Sequence, residues 1–230
     1  MTRTFMGLSL ALVLSAASVA APVPAEDDLT KLTRAYGTWV DRDKDCKFKL
    51  TGGGLKVLLP ASDHMIDKSF VGATNNAPRA LREVEGDFTA VVRVVIPIPD
   101  RDPKPSWQYW SGGLLAWESD EEYFGVRFCG GRVNGEREAI WGHYATADKH
   151  IAMISGLGAP TGKGFVRLKR EGKKITAGWS RDGKAWKDFD SSPQDVAWGA
   201  KVKVGVVAEN NLGVPVEVAF DQYSLSQPKK

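Results

Sequence analysis

Tyr123-Phe124-Gly125-Val126-Arg127-Phe128-Cys129 is the stretch whose pattern decides the fold. In an extended chain side chains alternate with period two, so Phe124, Val126 and Phe128 share one face, opposite Tyr123, Gly125, Arg127 and Cys129. A strand with one apolar face needs a partner layer to cover it. The pattern repeats outward from there. Val166 and Leu168 oppose Arg167 and Lys169, Val202, Val204 and Val206 oppose Lys201 and Lys203, and Val216, Val218 and Phe220 oppose Glu217 and Asp221. Strands are predicted at 46–51, 55–59, 87–98, 112–117, 123–129, 138–145, 165–170, 175–180, 202–208 and 214–225, with no long stretch of helical period. Residues 87–98, apolar on both sides except at Thr89 and Arg93, predict a central strand covered on both faces.

Between the strands stand Gly52-Gly53-Gly54, Glu85-Gly86, Gly130-Gly131, Asn134-Gly135, Glu171-Gly172 and Asp182-Gly183. Gly and Asn there supply the positive φ of tight hairpins. Strands in this number without helical partners predict an all-β domain, a two-sheet antiparallel β-sandwich. One domain over residues 30–226 is expected, followed by a solvated basic tail at 227–230. Residues 1–25 read as a secretory signal peptide: Arg3, then an apolar run from Met6 to Ala20, then small residues with cleavage expected between about 20 and 25. That run is too short for a membrane span. A secreted or periplasmic protein is expected.

Lys and Arg number 31 against 28 Asp and Glu, a balance that argues against a nucleic-acid partner, whose phosphates demand a strong basic excess. Neither a cofactor motif nor a metal site is predicted. His64, His143 and His150 are scattered, and Asp41, Asp43 and Asp45 alternate with Arg42 and Lys44 without the Gly and terminal Glu of a calcium loop. Cys46 and Cys129 either form a disulfide, as export permits, or remain buried thiols.

Several segments, in order, resemble an exported bacterial domain family of unknown function, sometimes labelled regulation-of-enolase-like, within the concanavalin A-like lectin and glucanase superfamily. They are Asn76-Ala77-Pro78-Arg79-Ala80-Leu81 with Gly86-Asp87-Phe88, and Gly112-Gly113-Leu114-Leu115-Ala116-Trp117 with Tyr123. Phe165 to Gly172, Ser180-Arg181-Asp182-Gly183-Lys184-Ala185-Trp186, Val204-Gly205-Val206 and Ala219-Phe220-Asp221-Gln222-Tyr223 continue the series. The resemblance implies a concanavalin A-like jelly roll and a lean toward glycans, and brings no catalytic residues with it.

Glu118, Asp120 and Glu122 have the alternate spacing that glycosidases of this fold place on one strand, where retaining hydrolysis needs two carboxyls about 5–5.5 Å apart. Ser119 and Glu121 fill the positions that should be apolar, so an exposed hairpin turn is the expected reading. The 180–186 segment is expected to be an Asp-Gly hairpin with Trp186 folded over it. Arg79 is read either as a ligand clamp or as the partner of a neighbouring acid. The better binding candidate is a surface: Tyr123, Arg127, Trp141 and His143 on the non-core face of neighbouring strands, with Trp107 and Trp110 just upstream. Aromatic platforms flanked by polar donors suit the apolar faces and hydroxyl rims of sugars. The reading is a non-catalytic module that binds a polysaccharide or glycoconjugate. Its alternatives are a glycoside hydrolase or lyase using Glu118 and Glu122, and an envelope protein-interaction module.

Overall fold

The computed structural model describes residues 26–66, 75–98, 108–133, 136–146, 150–156, 161–189, 192 and 194–228. Among the described residues one helix, α1 (Glu26–Ala35), precedes fifteen strands. These are β1 (Thr38–Val40), β2 (Lys47–Thr51), β3 (Gly54–Leu59), β4 (Arg79–Glu85), β5 (Phe88–Val95), β6 (Tyr109–Trp117), β7 (Tyr123–Val133) and β8 (Glu136–Ala145). Then follow β9 (His150–Gly156), β10 (Lys163–Glu171), β11 (Lys174–Ser180), β12 (Lys187–Asp188), β13 (Gln194–Asp195), β14 (Lys201–Asn210) and β15 (Val216–Ser226). They form a seven-stranded sheet, β1-β4-β14-β6-β7-β8-β9, and an eight-stranded sheet, β12-β11-β10-β5-β15-β3-β2, with β13 paired to β11. The pairings are antiparallel. No helix among the described residues is long and apolar enough to cross a membrane.

The alternating residues meet where the two sheets pack. Phe124, Val126, Phe128, Val202, Val204 and Val206 from one sheet face Phe88, Val92, Val166, Leu168, Val218 and Phe220 from the other in one buried core. Leu32 of helix α1 and Tyr36 just after it join this core, the Tyr36 ring stacking on Tyr223 at 5.2 Å. In β15 the phase changes partway: Val216, Val218 and Phe220 point to the core, then Tyr223 and Leu225 pack against it. The register against β5 shifts between Asp221 and Ser224, with Gln222 at φ 50°. A bulge inserts one unpaired residue and so returns the odd positions to the core side.

Strand β5 is central, between β10 and β15. It is shorter than the predicted 87–98 and covered on one face only: Phe88, Ala90, Val92 and Val94 are buried while Thr89, Val91, Arg93 and Val95 are half-buried. The double-sided apolar pattern overstated its burial, because the Arg93 and Asp221 side chains pair across that outer face at 2.9 Å.

The hairpin after β11 is built as its Asp-Gly pair predicts. Gly183 has φ 76°, and Trp186 donates through Nε1 to Gly183 O while Arg167 lies over its ring at 4.5 Å. The Asp182 carboxylate accepts from the amides of Ala185 and Lys184 and from Ser180 Oγ, which together lower its pKa to about 2. Because the folded pKa is depressed, the turn's contribution to stability is present above the unfolded carboxylate range and is lost as pH falls toward 2. Carboxyl-detected NMR should give Asp182 a midpoint near 2; a midpoint near 4, the ordinary Asp value, would show the turn to be open in solution.

Candidate functional site

The outer face of the seven-stranded sheet carries the chemistry. Odd-numbered residues of β6, β7, β8 and β14 point there, among them Ser111, Trp117, Tyr123, Arg127, Trp141, His143 and Glu209. Across part of this face runs a strap formed by residues 64–66. His64 exchanges backbone hydrogen bonds with Asn210 (2.8 and 3.0 Å), and Met65 N donates to Asn76 Oδ1. Ile66 is gripped at both backbone groups: its N–H donates to Glu209 Oε1 and its carbonyl accepts from Arg127 Nη2, each at 2.9 Å. Arg127 Nε and Glu209 Oε2 form an ion pair at 3.0 Å with both side chains fully buried, and Ser111 Oγ donates to the same oxygen at 2.8 Å.

Tyr123, Arg127, Trp141 and His143 therefore do share one face, as their alternation requires, but that face is closed where an open shelf was expected. Tyr123, Arg127 and His143 are 0% exposed and Trp141 3%. Trp141 stacks on His143 (5.7 Å, 7°), and Tyr123 meets His143 edge-on at 5.2 Å. Ile66 and Ala77 join Trp117 and Tyr123 in one outer cluster, and Met65 joins Tyr109, Cys129 and Trp141 in another. Trp110 is corrected outright: it faces the inter-sheet core and donates to Pro97 O at 2.7 Å. Trp107 lies outside the described residues.

Beside the strap the same face is open. A cleft of about 430 Å³ lies over β1, β4, β14 and β6, lined in part by Arg42, Arg79, Glu83, Trp117, Asp120 and Lys203. Arg79 lies over the Trp117 ring at 4.5 Å and donates through Nη1 to the carbonyls of Asn75 and Ala77. Trp117 in turn stacks on Tyr123 (5.3 Å, 15°). No carboxylate lies within ion-pair distance of Arg79 among the described residues, and its buried Nε has no acceptor. Burial, and then the neighbouring Arg42, lower its pKa to about 10, while Asp120 acts the other way; it stays cationic at neutral pH. Arg42 holds Asp120 bidentately, both contacts 2.7 Å. Sequence reasoning missed the cleft because β1 and β4 showed no clean alternation. Glu209 was also missed: it follows the apolar run Val206-Val207-Ala208 and precedes Asn210-Asn211, so it read as the polar end of the strand.

Glu118, Asp120 and Glu122 sit in the turn between β6 and β7, with Glu118 N and Ser119 N both donating to Glu122 O. Glu118 and Asp120 are exposed, and Asp120 is held by Arg42. No strand carries the three carboxyls side by side. Cys46 and Cys129 are free buried thiols and do not form the possible disulfide. Cys46 belongs to the inter-sheet core and Cys129 to an outer cluster. Among the described residues, one group could hold a metal: Asp45, Cys46 and His64, whose donor atoms lie within 4.8 Å of one another.

No protein-family model matches the sequence, and no curated protein matches it. Solved structures do match. A functionally unknown protein from Saccharomyces cerevisiae superposes with a TM-score of 0.67 at 16% identity, over 84% of this chain and 97% of that one. A GH43 protein from Bacillus licheniformis gives 0.59 at 17%, over 83% of this chain but only 37% of the other. The carbohydrate binding module CBM66 from Bacillus subtilis gives 0.50 at 9%, over 82% and 95%. The chain has the concanavalin A-like jelly-roll β-sandwich fold.

Proposed function

We propose that this is an exported, non-catalytic module of the kind the sequence resembles, binding a polysaccharide with acidic sugars in the cleft beside Trp117. The observation that carries the reading is Arg79: a buried guanidinium fixed over an indole at the wall of an open cleft, with no carboxylate at ion-pair distance among the described residues. A sugar carboxylate is the complement of such a group, and Arg42 and Lys203 on the same cleft leave three cations against Glu83 and Asp120. The carbohydrate binding module among the structural neighbours is in keeping with this, on fold grounds alone. The signal-like segment at 1–25 supports export. The exposed turn holding Glu118, Asp120 and Glu122 favours binding over hydrolysis.

Polyuronates are expected to bind, and neutral polysaccharides to bind at least about tenfold more weakly, by calorimetry at low salt, a gap of ~1.4 kcal/mol. Lys203→Glu reverses an exposed charge, so it should fold normally and weaken polyuronate binding about tenfold, ~1.4 kcal/mol. Trp117→Ala should abolish the site, with a thermal melt to confirm folding. Equal binding of neutral and acidic chains would remove the acidic preference. Turnover that disappears in Glu122→Gln would replace the module with an enzyme.

A further inference from the structure

Between β1 and β2 the chain curls through Asp41-Arg42-Asp43-Lys44-Asp45-Cys46. Asp41 holds the curl from within: its two carboxylate oxygens accept from the amides of Lys44 and Cys46, both at 3.0 Å, and Lys44 takes φ 59°. The curl delivers Asp43, Asp45 and Cys46 against His64, eighteen or more positions further along and fixed in the strap by its backbone bridge to Asn210. Asp43 is itself held by Asn76 Nδ2 at 2.6 Å.

The ring of His64 is fully buried and its orientation is informative. Nδ1 lies 2.9 Å from Ser62 O, a carbonyl that can only accept, so Nδ1 carries a proton. In the neutral ring Nε2 is then a lone pair, and it faces Asp45 Oδ1 at 2.9 Å and Asp43 Oδ2 at 3.9 Å. Cys46 Sγ stands 3.6 Å from the same Asp45 oxygen. His64 Nε2 and the Cys46 thiol, which donates, both meet the one oxygen Asp45 Oδ1, and a metal ion that displaced the thiol proton would engage all three. Imidazole, sulfur and carboxylate together match zinc or cobalt better than calcium or magnesium. Tetrahedral zinc, with bonds of about 2.0–2.3 Å, puts its ligands about 3.3–3.7 Å apart. The three donors lie within 4.8 Å of one another, so binding would spread Asp45 from His64, now 2.9 Å apart, and draw in any pair that stands wider. The Nδ1–H to carbonyl bond is the outer contact by which metal-bound histidines are oriented. Asp43 and Asp45 are 44% and 42% exposed, which leaves a path for entry.

We propose that His64 Nε2, Asp45 and Cys46 form a three-residue zinc site, its fourth position left to water, that fastens the strap to the β1–β2 loop. It rests on different residues from the glycan cleft and does not depend on that reading. The test uses full-length protein stripped with chelator and titrated with Zn²⁺ and with Co²⁺. One equivalent should bind, the melting temperature should rise, and Co²⁺ should give tetrahedral ligand-field bands with a thiolate charge-transfer band. Cys46→Ser and the exposed Asp45→Asn, both checked for folding, should each weaken zinc at least about 10–100-fold, the loss typical even of residues behind the ligands. No zinc binding by the wild type, undiminished binding by both variants, or a His64 ring that keeps two protons in the presence of zinc would overturn the site.

Discussion

Glu209→Ala is expected to destabilise the fold by about 3–5 kcal/mol, the cost of removing one partner of a buried ion pair. Arg127 and Glu209 are both fully buried, so the surviving guanidinium cannot recover solvent without disrupting the face. The loss extends past the pair. Ile66 N–H and Ser111 O–H each lose the acceptor that Glu209 gave them, and unsatisfied buried donors are costly in themselves. For a chain of this size, thermal melts should fall by roughly 6–20 °C. Replacing both members with apolar residues, Arg127→Met with Glu209→Leu, should restore a large part of that loss, since the charges repay little beyond their own desolvation. A double variant as unstable as Glu209→Ala would mean the pair's worth lies in gripping Ile66.

That same pair explains which parts of the molecule could be read in the sequence. Parity told which residues share a face: Phe124, Val126 and Phe128 inward, Tyr123, Arg127, Trp141 and His143 outward. Parity carries no information about what lies above a face. The strap comes from residues 64–66, about sixty positions before β7, and its hold depends on Arg127 and Glu209, 82 positions apart, meeting across the sheet. All ten strands expected from alternation exist, with shifted ends. The additional ones fail the pattern for identifiable reasons. In β4, Arg79, Ala80 and Leu81 are all buried, one side by the core and the other by the Trp117 cluster, so alternation vanishes where the sheet is covered twice. β12 and β13 are two residues each, below any period. The three scattered histidines showed no metal spacing because His64, bridged to Asn210, meets Asp45 and Cys46 only through a tertiary side-chain contact.

Phe128→Ala should be as damaging as the loss of Glu209, by a different mechanism. The Phe128 ring, 1% exposed, crosses from β7 to β10 and fills the space above Gly164. A β-carbon built on Gly164 would lie 2.5 and 2.8 Å from two ring carbons, and its three closest heavy atoms all belong to that ring. The glycine is there because the ring is there. Truncating the ring leaves a hole whose floor has no side chain to move into it, so the site cannot collapse and the cost belongs at the upper end, about 3–5 kcal/mol. Gly164→Ala alone should also destabilise, by about 1–3 kcal/mol, because it forces the ring out of place. Combined with Phe128→Ala, however, the added methyl enters vacant space and should stabilise relative to Phe128→Ala alone. Urea melts of the four proteins give the coupling, which should be favourable and on the order of 1–3 kcal/mol. Additive losses would mean that ring and glycine do not meet across the sandwich, and that the two sheets pack in a different register.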